Sequence, residues 1–284
     1  MPRHLNKKSS AQEYSYPEHL RSCIADLPAA PGIYIFHGDD ADSMPLYIGK
    51  SVNIRQRVMS HLRTPDEQRM LSQTRSVTHV RTVGEIGALL LEARLIKERQ
   101  PLFNQRLRRT RQLCSLQVSN GDINVVYARD LNFALEPHLF GLFSSPHAAL
   151  NAVRELADAQ QLCYGALGLE RLAAGRRCFR ASINQCAGVC CGKESLQAHS
   201  ERLMTALERM RVTCWPYLGA VGLVERDQEE MQIHVIRNWC YLGSAADPVA
   251  AAALATVDAG FDADGYKILC RALLSGAADI VLLS

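Results

Sequence analysis

Two strand-forming tripeptides constrain this fold more than any other feature: Gly32-Ile33-Tyr34, introduced by Pro31, and Tyr47-Ile48-Gly49, followed by Lys50. Each lies on a short apolar run. The intervening His37 to Ser43 is dense in turn-forming residues, so the pair predicts an antiparallel hairpin. From 52 to 62 the apolar Val52, Ile54, Val58, Met59 and Leu62 recur at helical intervals, with Arg55, Gln56, Arg57, Ser60 and His61 between them, which predicts an amphipathic helix with a basic face. Residues 77–83 read as a third strand, and 86–98 as a strong helix that stops before Pro101. The result is a compact ββαβα unit, of the α/β (α+β) class, with a central antiparallel sheet.

Downstream, short strands are predicted at 113–118 and 123–127 about an Asn120-Gly121-Asp122 turn, with another at 139–143. A helix follows over 146–160, and a second over 194–211 after a group of cysteines. The tail has strands at 220–224 and 231–236, an alanine-rich helix after Pro248 and a helical run after Asp264. Four segments follow from this reading: an extension at 1–25, the ββαβα unit at 26–109, a cysteine-bearing middle region at 110–211 and a small α/β unit at 212–284.

A net charge of +3 hides an asymmetry: residues 1–110 carry 17 Lys and Arg against 11 Asp and Glu, whereas 212–284 carry 4 against 9. A basic front suits a polyanionic partner, and the acidic tail does not. No window approaches the roughly 18 uninterrupted apolar residues of a membrane span. The first ten residues lack the apolar stretch of a secretory signal. The expectation is a cytoplasmic protein, monomeric by default, without membrane contact. Ten cysteines are then reduced thiols or metal ligands rather than a disulfide framework.

Hydrolysis of a phosphodiester needs an activated water, a cation at the developing charge and a stabilised leaving oxygen. The first unit offers candidates for each. Tyr34 and Tyr47 sit on adjacent strands, Lys50 follows at a strand end, and Arg57 and His61 share a helix face at i, i+4. Glu92 is the lone carboxylate within the apolar stretch 89–96, and Asn104 follows Pro101. Any one of these alone reads as a packing, surface or turn residue. Their order and spacing together point to a site.

The cysteines Cys178-x7-Cys186-x3-Cys190 are compact and flanked by Arg176, Arg177 and Arg180, with Cys163 fifteen residues before Cys178. Four thiolates suit zinc or an iron–sulfur cluster, and spacing does not separate the two. Cys191, beside Cys190, leaves the fourth ligand ambiguous.

These residues resemble the GIY-YIG endonucleases, and more narrowly the UvrC/Cho excinuclease family. The match runs through Gly32-Ile33-Tyr34, Tyr47-Ile48-Gly49-Lys50, Asn53, Arg57-Val58, Leu90-Leu91-Glu92-Ala93, Leu95-Ile96-Lys97, Pro101 and Phe103-Asn104. Phe140-Gly141-Leu142-Phe143 and the cysteine group extend it to about residue 200. The resemblance implies that Glu92 binds one divalent metal, Mg²⁺ or Mn²⁺. Tyr47 would be the general base or water-positioning group with Lys50 lowering its pKa, and Arg57 would hold the scissile phosphate. Tyr34 and Asn104 would order the cleft. His61 departs from the UvrC pattern, which has tyrosine there, and other GIY-YIG nucleases are similar in having histidine. The resemblance also implies a [4Fe-4S] cluster, which would fold the loop and present the flanking Arg176, Arg177 and Arg180 to DNA phosphates, with Arg55 on the basic helix face as a further DNA contact.

UvrC itself goes on to a UvrB-binding motif, a second nuclease and a helix-hairpin-helix module, and residues 212–284 are too short and acidic for the last two. The chain thus looks like the family's short, single-nuclease members. That likeness implies one incision 3′ to a lesion in damaged duplex DNA, within a UvrB complex loaded by UvrA. A free-standing GIY-YIG nuclease of restriction or mobile-element type, and a non-enzymatic DNA-binding metalloprotein, are the competing readings.

Overall fold

The computed structural model describes residues 17–39, 44–104, 113–119, 122–173, 176–257, 260–276 and 278–283. The extension before residue 17, the hairpin residues 40–43, the expected boundary near 109 and the Asn120-Gly121 part of the second turn lie outside them. The chain divides into two compact units. One comprises Met1–Arg108 with Glu225–Gln232, the other Arg109–Val224 with Ile233–Ser284.

The first unit opens with a 3-10 turn, Glu18–Leu20, running into α1 (Arg21–Ala25). Next come β1 (Gly32–His37), β2 (Tyr47–Ser51), α2 (Ile54–His61), a second 3-10 turn at Pro65–Glu67, α3 (Gln68–Leu71), β3 (Ser76–Arg81) and α4 (Glu85–Arg99). The predicted hairpin forms, and β3 pairs with the other edge of β1, giving the antiparallel order β2-β1-β3. As the middle strand, β1 is buried on both faces, and all six of its residues are buried. Alternation sends Ile33 and Ile35 to one face, with Ile48 and Ile96. It sends Tyr34 and Phe36 to the other, with Ile54, Val58 and Leu62 of the α2 region.

Gly32 has φ +151°, and a Cβ there would meet the Val80 carbonyl at 2.2 Å, so only glycine lets β3 approach this closely. The Asn53 side chain caps α2 by accepting from Gln56 N, which accounts for that residue's place in the pattern. At its other end α4 stops on Gln100 in the left-handed region, immediately before Pro101.

Beyond the first unit lie β4 (Cys114–Ser119), β5 (Asp122–Tyr127) and β6 (Leu139–Phe143), in the order β5-β4-β6. Helices α5 (Pro146–Ala159), α6 (Phe179–Ser182) and α7 (Leu196–Leu207) follow. Leu116, Phe140, Val153, Leu203 and Leu207 share one core between this sheet, α5 and α7. The tail adds β7 (Ala220–Asp227), β8 (Glu230–Arg237), β9 (Cys240–Ala245), α8 (Pro248–Leu254), α9 (Ala263–Leu274) and β10 (Asp279–Leu283).

Two of those strands differ from the sequence expectation. β9 and β10 join β7 and β8 in an antiparallel sheet ordered β10-β7-β8-β9. β9 has Gly243 and Ser244 interrupting its apolar pattern, whereas the apolar run of β10, Ile280 to Leu283, is strand-forming and takes its partner from a strand some 60 residues earlier in the chain. No helix among the described residues is long and apolar enough to cross a membrane.

Candidate active site

The hairpin register sets the site. Tyr34 pairs with Gly49 and Phe36 with Tyr47, so both tyrosines project from one face of the sheet, their ring centroids 6.2 Å apart. A Cβ on Gly49 would stand 2.3 Å from the Tyr34 hydroxyl, so glycine is what admits that side chain. One turn of α2 carries Arg57 and His61 onto the same face, and the His61 ring lies 5.3 Å from Tyr34 and 5.5 Å from Tyr47. Burial follows depth: Tyr34 and His61 are buried, Tyr47 is half-buried and Arg57 is exposed.

His61 links two elements. Its Nε2 is 2.7 Å from the Tyr34 hydroxyl, and its Nδ1 is hydrogen-bonded to the Glu67 carboxylate. Burial lowers the His61 pKa, against an opposing pull from Glu67. The Tyr34 hydroxyl is pushed well above the ordinary tyrosine range by burial and by neighbouring Tyr47, with Arg57 acting the other way. Tyr47 is likewise raised, by burial and by Glu92. The cation that lowers Tyr47 is Arg57 rather than the expected Lys50, whose ammonium is engaged with Glu85 at 2.8 Å.

Glu92 reaches β2 from α4, where its Oε1 accepts from Lys50 N at 3.0 Å. Burial pushes its carboxyl up, and among the described residues no Lys or Arg forms an ion pair with it. A half-buried carboxylate that accepts a backbone N–H and feels the Lys50 charge without pairing to it keeps oxygen lone pairs that suit a divalent cation. Asn104 lies buried against the outer edge of β2. Its Oδ1 accepts from Ile48 N at 2.8 Å and its Nδ2 donates to Ile48 O at 2.7 Å, so the amide replaces a strand partner between Tyr47 and Gly49.

The remaining basic candidates divide. Arg55 donates to the Leu27 and Ala25 carbonyls. Arg176 and Arg177 are exposed. Arg180, expected to face DNA, instead turns inward: it is buried, pairs with Asp158 of α5 at 2.6 Å, stacks over Tyr164 and donates to Gln185 O. Sequence reading missed Glu67 and Glu85. Pro65-Asp66-Glu67 has the composition of a plain charged turn, and no local pattern ties it to His61.

In the second unit the sulfurs of Cys163, Cys178, Cys186 and Cys190 all lie within 4.8 Å of one another. Cys191 is exposed and donates to Gly188 O, outside the group. The sulfurs of Cys190, Cys178 and Cys186 accept backbone N–H bonds from Cys178, Ala181 and Gly188, the donors that stabilise metal-bound thiolates. Burial pushes the Cys186 thiol up to about 12, with the neighbouring thiols adding to it, so without a metal Cys186 holds a proton that a metal would displace. The residues present fit a four-thiolate centre.

Three family models match: a UvrC-like GIY-YIG domain over residues 30–105, the UvrC/Cho excinuclease middle domain over 106–209 and the excinuclease Cho C-terminal domain over 220–284. Excinuclease cho of Escherichia coli (strain K12) is 59% identical over 271 residues, covering 95% of this chain and 92% of that protein. Excinuclease cho of Salmonella typhi is 57% identical, covering 96% and 92%. UvrABC system protein C of Bacteroides fragilis (strain YCH46) is 28% identical over 209 residues, 70% of this chain and 34% of that protein. Among solved structures, the GIY-YIG N-terminal endonuclease domain of UvrC from Thermotoga maritima, bound to its catalytic divalent cation magnesium, is 32% identical, covers 30% of this chain and 93% of that one, and has a TM-score of 0.27.

Proposed function

The chain belongs to the UvrC/Cho excinuclease family and carries its GIY-YIG endonuclease domain, and we propose that it makes a single incision 3′ to a lesion in duplex DNA during nucleotide excision repair. The observation that carries this reading is the convergence of Tyr34, Tyr47, Arg57 and His61 on one sheet face, with Glu92 meeting β2 at Lys50. These phenols, imidazole, guanidinium and carboxylate can supply the activated water and the charge stabilisation that phosphodiester hydrolysis needs.

In that reading the exposed Arg57 guanidinium holds the scissile phosphate through paired N–H bonds. The tyrosines and His61 position the attacking water and receive its proton. Glu92 holds Mg²⁺ or Mn²⁺, which when bound stabilises charge on the phosphate oxygens. Asn104 and Gly49 keep β2 and the tyrosine rings in register. The enzyme acts in the cytoplasm on DNA presented by UvrB after UvrA loading, and Arg176 and Arg177 add phosphate contacts. Cys163, Cys178, Cys186 and Cys190 hold a [4Fe-4S] cluster, with zinc as the alternative, that folds the loop presenting those arginines.

Incision of a site-specifically damaged duplex, with and without UvrA and UvrB, tests the reading when the cut is mapped. A metal-dependent cut on the 3′ side that requires the lesion and both proteins is expected, and Glu92→Ala should lower its rate by roughly 10³-fold. A cut needing neither lesion nor partner would favour the free-standing nuclease, and full activity in Glu92→Ala would remove the metal role.

A further inference from the structure

We propose that Glu67 is a positioning residue of this nuclease, holding the buried His61 imidazole so that Nε2 is the acceptor for the Tyr34 hydroxyl proton. The inference rests on the incision reading and deepens it by assigning the path of the proton. An ionised carboxylate has only acceptors, so the nitrogen facing Glu67, Nδ1, carries the ring proton. Nε2 then bears the lone pair, and at 2.7 Å the Tyr34 O–H must be the donor. This turns the lone pairs of the phenol oxygen away from His61, with Arg57 and Tyr47 as its other neighbours.

The groups facing the imidazole are Tyr34 and Phe36 from β1, Tyr47 from β2, Arg57 from its own helix and Glu67 from the 3-10 turn. Glu67 is the carboxylate in direct contact with the ring. Burial keeps Tyr34 from ionising in advance, so it accepts a proton only as it releases one. As the water oxygen bonds to phosphorus, the water proton passes to the half-buried Tyr47 oxygen, the Tyr47 proton to the buried Tyr34 oxygen and the Tyr34 proton to Nε2. The phosphorus–oxygen bond to the leaving strand breaks, and its electron pair departs with that oxygen. The imidazolium so formed sits against the Glu67 carboxylate and afterwards returns its proton to solvent. With Nδ1 unprotonated instead, Nε2 would carry the hydrogen and could not accept.

Single-turnover incision by the full chain with Mg²⁺, at saturating damaged duplex, tests this for Glu67→Gln, which preserves the side chain's shape. The rate should fall by roughly 10–100-fold with DNA affinity unchanged. Glu67 raises the His61 pKa, so its loss should also move the acid limb of the pH–rate profile to lower pH. Because Glu67 acts through His61, adding Glu67→Gln to His61→Gln should cost nothing further. An unchanged rate in Glu67→Gln overturns the inference. So does a loss with an unmoved acid limb or one that adds fully to that of His61→Gln, since either marks a role confined to the turn. A wild-type chain that makes no cut overturns the incision reading and this inference with it, whereas a cutting wild type matched by its variant sinks the inference alone.

Discussion

Asn104 bonds both polar backbone groups of Ile48 on the outer edge of β2, and its removal leaves a buried N–H and a buried carbonyl unsatisfied. Asn104→Ala should therefore cost about 1–3 kcal/mol of stability, read from chemical unfolding, besides loosening the tyrosine register. The buried histidines set a pH dependence. Burial lowers the pKa of His61 and of His199, in each case against a carboxylate that raises it. The unfolded chain therefore takes up protons first on acidification, so the stability these groups contribute is complete above about pH 6.5 and declines as pH falls below it. A thermal unfolding midpoint lower at pH 5.5 than at pH 7.5 is the expected result, and replacing His199 with Gln should reduce the difference. Tyr34, Tyr47, Arg57 and His61 were legible as a group because a two-residue strand period and a four-residue helix period place them on common faces. Glu67 was not, since its contact with His61 depends on how a short charged turn folds back.

α4 begins at Gly84 with no side-chain cap of its own. Its first free N–H groups, Ile86 N and Gly87 N, donate to the two oxygens of Glu225 at 2.9 and 2.8 Å, a carboxylate 138 residues or more along the chain. Such a partner satisfies two orphan donors and meets the positive end of the helix dipole. Glu225→Ala should lower stability by about 1 kcal/mol in denaturant unfolding, and Glu225→Gln, which keeps one acceptor, by less. The helix itself was readable from its apolar repeat and from the stop at Pro101. Its N-cap was not, because propensity and periodicity are local while this cap arrives from a distant strand. β10 likewise takes its partner, β7, from far along the chain, although its own apolar run is strand-forming.

For the molecule as a whole, the cysteine tetrad gives the most direct prediction. Anaerobically purified protein should be brown with absorbance near about 400 nm and should contain iron, and Cys186→Ser should lose both the colour and the stabilisation that ligand binding gives the folded state. Zinc in place of iron would identify the same four thiolates as a zinc site, and metal-free protein would make them ordinary buried thiols. The sequence by itself determined the hairpin, the α2 and α4 helices, the paired tyrosines and the cysteine spacing, because each depends on residue type and short-range periodicity. Only the tertiary structure decided that Cys190 rather than Cys191 joins the tetrad, that Arg180 points inward to Asp158, and that Glu67 rather than solvent faces His61. Those choices depend on which side chains are close after folding, and burial then fixes their partners, since an unpaired polar group or charge in the interior is costly.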